Sequence, residues 1–202
     1  MKITIISGSH RENSQSSKVA LHMQAVLEAK GINTDILDLA GNPLPLWDQG
    51  VWEGDEKWVT LLTPIKEQLA SSDGFVVISP EWHGQVPAGL KNLFLLMSKN
   101  ELGHKPAMIT AVSSGDGGSY PVAELRMSSY KNNRLCYIPE HLILRNIESI
   151  LNKDESLNDE SSNDYFKQRI EWSLGVLEQY AIALKIVRDS GAADTEQFNN
   201  GM

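Results

Sequence analysis

Residues 3–17, Ile3-Thr4-Ile5-Ile6-Ser7-Gly8-Ser9-His10-Arg11-Glu12-Asn13-Ser14-Gln15-Ser16-Ser17, decide how the rest of the chain is read. An unbroken apolar run stops at a glycine, passes through a loop of hydroxyls with one guanidinium, and enters a helical pattern with Ala20, Met23 and Leu27 on one face. Apolar runs without alternation mark parallel strands covered on both faces. Working outward, Thr34 to Leu39, Phe75 to Ser79, Ala107 to Ser113 and Leu142 to Leu144 are the further strand candidates. Helical patterns separate them: 17–30, Thr63-Pro64 through Leu69, 87–98, a stretch near 119–131, and a last one in which Phe166, Ile170, Leu174, Leu177, Ala181 and Leu184 recur at three and four residues. Thr63 reads as an N-cap, with Pro64 at the first helical position. Strands alternating with helices predict an α/β fold, a doubly wound five-stranded parallel sheet with helices on both faces. Ligands of such sheets lie beyond the carboxyl ends of the strands, at the switch point of the strand order. That singles out the loops after the first, third and fourth strands.

The 202 residues fit one domain, with 1–152 forming the sheet and its helices and 153–202 adding a linker, a helix and a tail to the same domain. At this length about 70% of the unfolded surface is buried, so no disulfide or metal staple is needed. Cys136 stands alone, and His10, His22, His83, His104 and His141 form no i, i+4 pair, so no metal site is predicted. The formal net charge is −8 and no basic block occurs, which argues against nucleic-acid binding. No apolar run approaches the ~20 residues of a membrane span, and the N-terminus lacks a signal-peptide pattern; a soluble, cytoplasmic protein is expected. The charge is uneven. Segment 153–164 carries net −4 and is expected to be a solvated linker, whereas residues 1–20 carry net +2.

That local excess flanks the loop after the first strand, which carries Arg11 and Glu12 between Lys2 and Lys18. A helix N-terminus there offers unpaired N–H groups and a positive dipole end to an anion. The loop has neither the Gly-Lys-Ser/Thr of a Walker A motif nor the GxGxxG of a dinucleotide site. Several hydroxyls and one guanidinium suit a terminal phosphomonoester; a polar loop with a serine cap is the plain alternative. The loop after the third strand, Ser79-Pro80-Glu81-Trp82-His83-Gly84-Gln85-Val86-Pro87, brings an aromatic ring and an imidazole to the same edge. The loop after the fourth, Ser113-Ser114-Gly115-Asp116-Gly117-Gly118-Ser119, has three glycines that let backbone approach a flat ligand.

These segments resemble a known family. The first loop is similar to the G-S-x-R-x-x-S signature of the NADPH-dependent FMN reductases, which are flavodoxin-like. Segment 80–92 (PEWHGQVPAGLKN) resembles their P-E-Y-N-x-x-x-P-x-x-L-K-N motif. Segment 113–126 (SSGDGGSYPVAELR) resembles their Gly-rich stretch, and Leu44 to Asp48 their loop after the second strand. The resemblance implies that Ser9, Arg11, Ser14 and Ser16, with Ser17 at the helix start, bind the FMN phosphate. It implies that Pro80, Glu81, Trp82 and His83 lie along the isoalloxazine, mostly through backbone groups, and that Ser114, Gly115, Gly117 and Gly118 approach its pyrimidine side. Trp82 and His83 stand where Tyr and Asn are usual, and Ser16 where Asn is common.

The implied activity is a ping-pong cycle: NADPH reduces FMN, and a quinone, free flavin or azo compound then takes the electrons in the same pocket. No catalytic acid or base is required. His83 is the one candidate, against its reading as an ordinary loop histidine. The implied assembly is a homodimer or homotetramer with flavin near the interface. An FMN-binding electron carrier without its own NADPH reductase activity would share the phosphate loop. A flavin-free serine hydrolase is the third reading, although G-x-S-x-G is absent. Lys91 is open to facing the ligand or solvent. The Trp47 and Trp52 loop is open to lining the pocket, meeting a partner subunit or covering a sheet edge.

Overall fold

In the computed structural model, which describes residues 1–201, five parallel strands form one sheet in the order β2-β1-β3-β4-β5. They are β1 (Lys2–Ser7), β2 (Asn33–Asp38), β3 (Gly74–Pro80), β4 (Pro106–Val112) and β5 (Cys136–Leu144). The helices are α1 (Gln15–Ala29), α2 (Gly50–Glu53), α3 (Glu56–Ala70), α4 (Ala88–Leu96), α5 (Lys99–Leu102), α6 (Ser119–Met127) and α7 (Glu160–Asp189). This is the flavodoxin-like order. Ile3 pairs with both Thr34 of β2 and Gly74 of β3, so β1 is central. The chain leaves it first toward β2 and then returns on the other side at β3, which opens the crevice between the β1 and β3 loops.

The unbroken apolar strands are buried on both faces. On one, Ile3, Ile5, Val76 and Ile78 pack with Val19, Met23 and Leu27 of α1 and Ile170, Leu174 and Leu177 of α7. On the other, Ile6, Phe75 and Val77 pack with Trp58 and Leu62 of α3, Leu90 and Leu93 of α4 and Leu125 of α6. Each fully buried Leu, Ile or Phe contributes about 1.5–3 kcal/mol. The last helix is therefore part of the core.

Three local expectations need correction. Thr63 and Pro64 lie inside α3, which starts seven residues earlier behind Asp55. Proline costs a helix one N–H bond, but Thr60 and Pro64 are both exposed, so water takes the freed carbonyl. Strand β5 begins at Cys136, not Leu142; Pro139 breaks the apolar run but is tolerated on this edge strand. Segment 153–164 is only partly a linker. Asp159 caps α7 by accepting the Ser162 N–H (2.9 Å), and buried Asn163 accepts the Leu151 N–H (2.9 Å).

Candidate functional site

At the carboxyl edge of the sheet, the loops after β1, β3 and β4 emerge side by side. The first is anchored at Gly8, whose N–H donates to the Ile78 carbonyl (2.8 Å). A Cβ at Gly8 would stand 2.6 Å from that oxygen and from Leu90 Cδ2, so only glycine lets β1 leave here. Ser9 Oγ accepts the Arg11 N–H (3.2 Å), and Ser14 caps α1 by accepting the Ser17 N–H (3.0 Å). Ser16 Oγ, in the first turn of α1, is buried with no hydrogen-bond partner among the described residues. The exposed Arg11 side chain has no ion pair among them either. Ser17 Oγ donates to Asp38 Oδ2 (2.8 Å).

His10 locks this loop to its neighbours. Its Nε2 accepts the Gly89 N–H (3.0 Å), so that nitrogen carries no proton, and burial holds the imidazole below its ordinary pKa. Its ring meets Trp82 edge-on, with centroids 5.3 Å apart, and its carbonyl accepts the Gly41 N–H (2.9 Å). The second loop continues from β3 with Glu81 N–H donating to Val112 O (3.0 Å). Trp82 and Gln85 then exchange backbone bonds (3.1 and 2.9 Å) around a two-residue turn. His83 and Gly84 both have positive φ there (50° and 72°), as a type I′ turn requires. His83 is exposed at the tip.

The Glu81 side chain does not lie along the opening but reaches the Gly-rich loop, where its carboxylate accepts the Gly118 N–H. Arg145, just beyond β5, donates from Nε to the Gly117 carbonyl (3.0 Å). Both groups grip one peptide unit, 117–118, from its two ends. A Cβ on Gly118 (φ 104°) would stand 2.5 Å from Ile143 Cγ2, and one on Gly117 would stand 2.9 Å from Glu81 Oε1. Ser114 and Gly115 remain exposed. Tyr120 lies over the hairpin turn, within 4 Å of where a Gly84 Cβ would be.

Pro80, Glu81, Trp82, His83 and the Gly-rich residues thus share one edge with Ser9, Arg11, Ser14 and Ser16. Lys91 is not at this opening: it pairs with Glu124 (2.7 Å), which also accepts the Val86 N–H (2.8 Å). Burial pushes the Glu124 carboxyl up, but these donors outweigh it and leave its pKa low. Trp47 and Trp52 pack T-shaped (4.8 Å) on the α4 side, where they line a groove of about 990 Å³ with Leu95 and Tyr130. Sequence reasoning gave no role to His10, Tyr120 or Arg145. Only the last left a signal, a guanidinium directly after a strand at the ligand edge.

An open α/β sheet whose switch-point crevice combines a hydroxyl-rich anion loop with a glycine-rich backbone edge is that of a flavodoxin-like flavoprotein. The chain belongs to the NADPH-dependent FMN reductase family, whose model matches residues 1–148. It is 26% identical over 144 residues to an NADPH azoreductase of Bacillus sp., covering 71% of this chain and 76% of that protein. It is 25% identical over 185 residues to a 2-hydroxy-1,4-benzoquinone reductase of Burkholderia sp., covering 90% and 94%. Among solved structures, a flavoenzyme NAD(P)H:(acceptor) oxidoreductase of Paracoccus denitrificans shares the fold, with a TM-score of 0.67, 20% identity and coverage of 91% and 97%. The site fits the cofactor that the family name specifies. An unpartnered buried hydroxyl and an unpaired guanidinium at a helix N-terminus match a phosphomonoester, and the open space beside Gly115 leaves room for a flat ring.

Proposed function

We propose that the protein is an FMN-dependent reductase that takes hydride from NADPH and passes electrons to flavin, quinone or azo-type acceptors in a ping-pong cycle. The observation that carries this reading is the buried, unpartnered Ser16 hydroxyl beside the unpaired Arg11 at the start of α1, on the edge where the Gly-rich loop also ends. Ser9, Arg11, Ser14 and Ser16 hold the phosphate, with Ser17 behind them. Pro80 to His83 flank the ring, and Ser114, Gly115, Gly117 and Gly118 meet its pyrimidine edge. Bound FMN supplies a ring that accepts and donates hydride, so nicotinamide and acceptor occupy one pocket in turn. The chain contributes a rigid edge: the 117–118 peptide, held by Glu81 at its N–H and by Arg145 at its carbonyl, cannot reorient, so the Gly-rich loop keeps its shape as the ring changes charge. No side chain needs to act as acid or base.

Residues 153–202 are read as part of the same domain, because α7 supplies core residues to the sheet. Among the described residues no helix is long and apolar enough to cross a membrane; the reading is a cytoplasmic enzyme. Its groove on the α4 side, with Trp52 81% and Leu95 68% exposed, supports a homodimer or homotetramer. Sedimentation of the purified protein tests that assembly. The activity is tested by anaerobic stopped-flow mixing of FMN-loaded protein with NADPH. Rapid, stoichiometric bleaching of the visible flavin band supports a reductase. Slow bleaching with rapid electron exchange to a protein partner would mark a carrier, and no uptake of FMN on titration would overturn both.

A further inference from the structure

At the opposite edge of the sheet, where β4 and β5 begin, a separate cavity of about 300 Å³ is lined by Lys99, His104, Arg134, Arg188, Asp194 and Thr195. The volume is at the lower end of the range for small-molecule sites. Three permanent cations and an imidazole face one carboxylate there, in a chain whose net charge is −8. Asp73, the other nearby acid, lies against Arg188 (3.6 Å).

Two of these side chains are held at a cost. His104 and Arg134 both have left-handed backbone (φ 54° and 57°), a conformation histidine accepts more readily than most and arginine rarely adopts. They secure each other through the His104 N–H, which donates to the Arg134 carbonyl (2.8 Å). Each also has a buried ring or guanidine nitrogen, His104 Nε2 and Arg134 Nε, with no hydrogen-bond partner among the described residues. Native proteins pair nearly all such groups, so two together need an explanation. Burial and the two neighbouring guanidiniums lower the His104 pKa, so the pocket is positive even with its imidazole neutral.

We infer that this cavity is a second anion site, remote from the flavin edge, which binds a phosphate group. The donors come from α5, the loop before β4, the turn before β5, α7 and the C-terminal tail. They converge from several directions, which suits a tetrahedral oxyanion with acceptors on every side better than a planar carboxylate. Guanidiniums match phosphate oxygens in forked geometry. Lys99 already ties Thr195 and Asn199 to α5 (2.6 Å each), and Arg134 donates to the Phe198 carbonyl. A phosphate here would therefore link the tail, α5 and α7.

The test is calorimetric titration of the FMN-saturated protein, its first phosphate loop filled, with inorganic phosphate and separately with ribose 5-phosphate at fixed ionic strength. Saturable binding is expected, about tenfold or more weaker in Arg134→Gln, as for a lost charged contact. Tighter binding of the sugar phosphate identifies an esterified ligand, and equal binding identifies the free ion. If Arg134→Gln does not fold by circular dichroism, Lys99→Gln gives the reading instead. No saturable binding of either probe, or binding that these variants leave unchanged, would overturn the inference.

Discussion

Replacing His10 by alanine tests whether the anion loop is held by its neighbours or stands on its own. The imidazole accepts a buried N–H, that of Gly89, and its removal leaves that donor unpaired, at about 1–3 kcal/mol. The edge-on contact with Trp82 is lost as well, for about 0.5–1.5 kcal/mol. The expected destabilisation is thus about 1.5–4.5 kcal/mol, and at about 2–4 °C per kcal/mol for a domain of this size the thermal midpoint falls by roughly 3–18 °C. The same change frees the segment between Gly8 and Ser14, so FMN affinity falls although His10 is not assigned to the cofactor. His10→Gln places an amide oxygen near the position of Nε2 and should recover part of both losses. Scanning calorimetry of the apo-protein and quenching of FMN fluorescence on binding read the two quantities separately. A His10→Ala protein with parental melting and parental FMN affinity would refute the locking role.

Three other outcomes follow from the geometry. Arg11→Ala removes a cation with no other partner among the described residues, so it should weaken FMN binding by about 1.5–3 kcal/mol while leaving urea unfolding of the apo-protein unchanged. Gly118→Ala adds a methyl at φ 104° against Ile143 and should cost about 2–4 kcal/mol in urea unfolding. By contrast Gly115→Ala, which meets only open space, should stay within about 0.5 kcal/mol. Lys105 donates to the carbonyls of Leu69, Ala70 and Glu101; burial and the Arg188 charge, opposed by Asp73 and Glu101, lower its pKa from 10.5 to about 8. The unfolded chain then binds more protons than the folded one across that interval, so stability measured in urea should rise from about pH 8 to 10.5, and Lys105→Met should abolish that rise.

The legible parts of this fold were those set by short-range pattern. Burial on both faces wrote β1, β3 and β4 into the sequence as unbroken apolar runs, and the spacing from Ile170 to Ala181 marked the core face of α7. Pro64 misled because a proline at an exposed point of a helix costs little, so the signal for a helix start also fits a helix interior. Helix α5 had its signal in full, the Ser98-x-x-Glu101 capping box, and was missed because only four residues follow the cap. The site was legible as three loops and no further. The bonds that fix them, His10 to Gly89, Glu81 to Gly118 and Arg145 to Gly117, join residues 79, 37 and 28 positions apart. No local rule carries such a pairing.

The unusual residues at positions 82 and 83 show what the scaffold constrains. A type I′ turn needs two successive residues that accept positive φ, and Asn-Gly is its preferred pair. His83-Gly84 meets the same demand, since histidine enters the left-handed region more readily than most side chains. The turn is closed by the backbone bonds between Trp82 and Gln85, and the Trp82 ring is held from behind by His10. Backbone requirements are also what fix Gly8, Gly117 and Gly118. The hairpin turn is therefore specified by main-chain geometry, while the side chains that project from it or lie over it, His83 and Tyr120, are free to differ. On this argument, exchanging His83 for Asn should leave folding and FMN binding intact and change only which acceptors are reduced. A loss of FMN binding in His83→Asn would place the imidazole in the cofactor site instead.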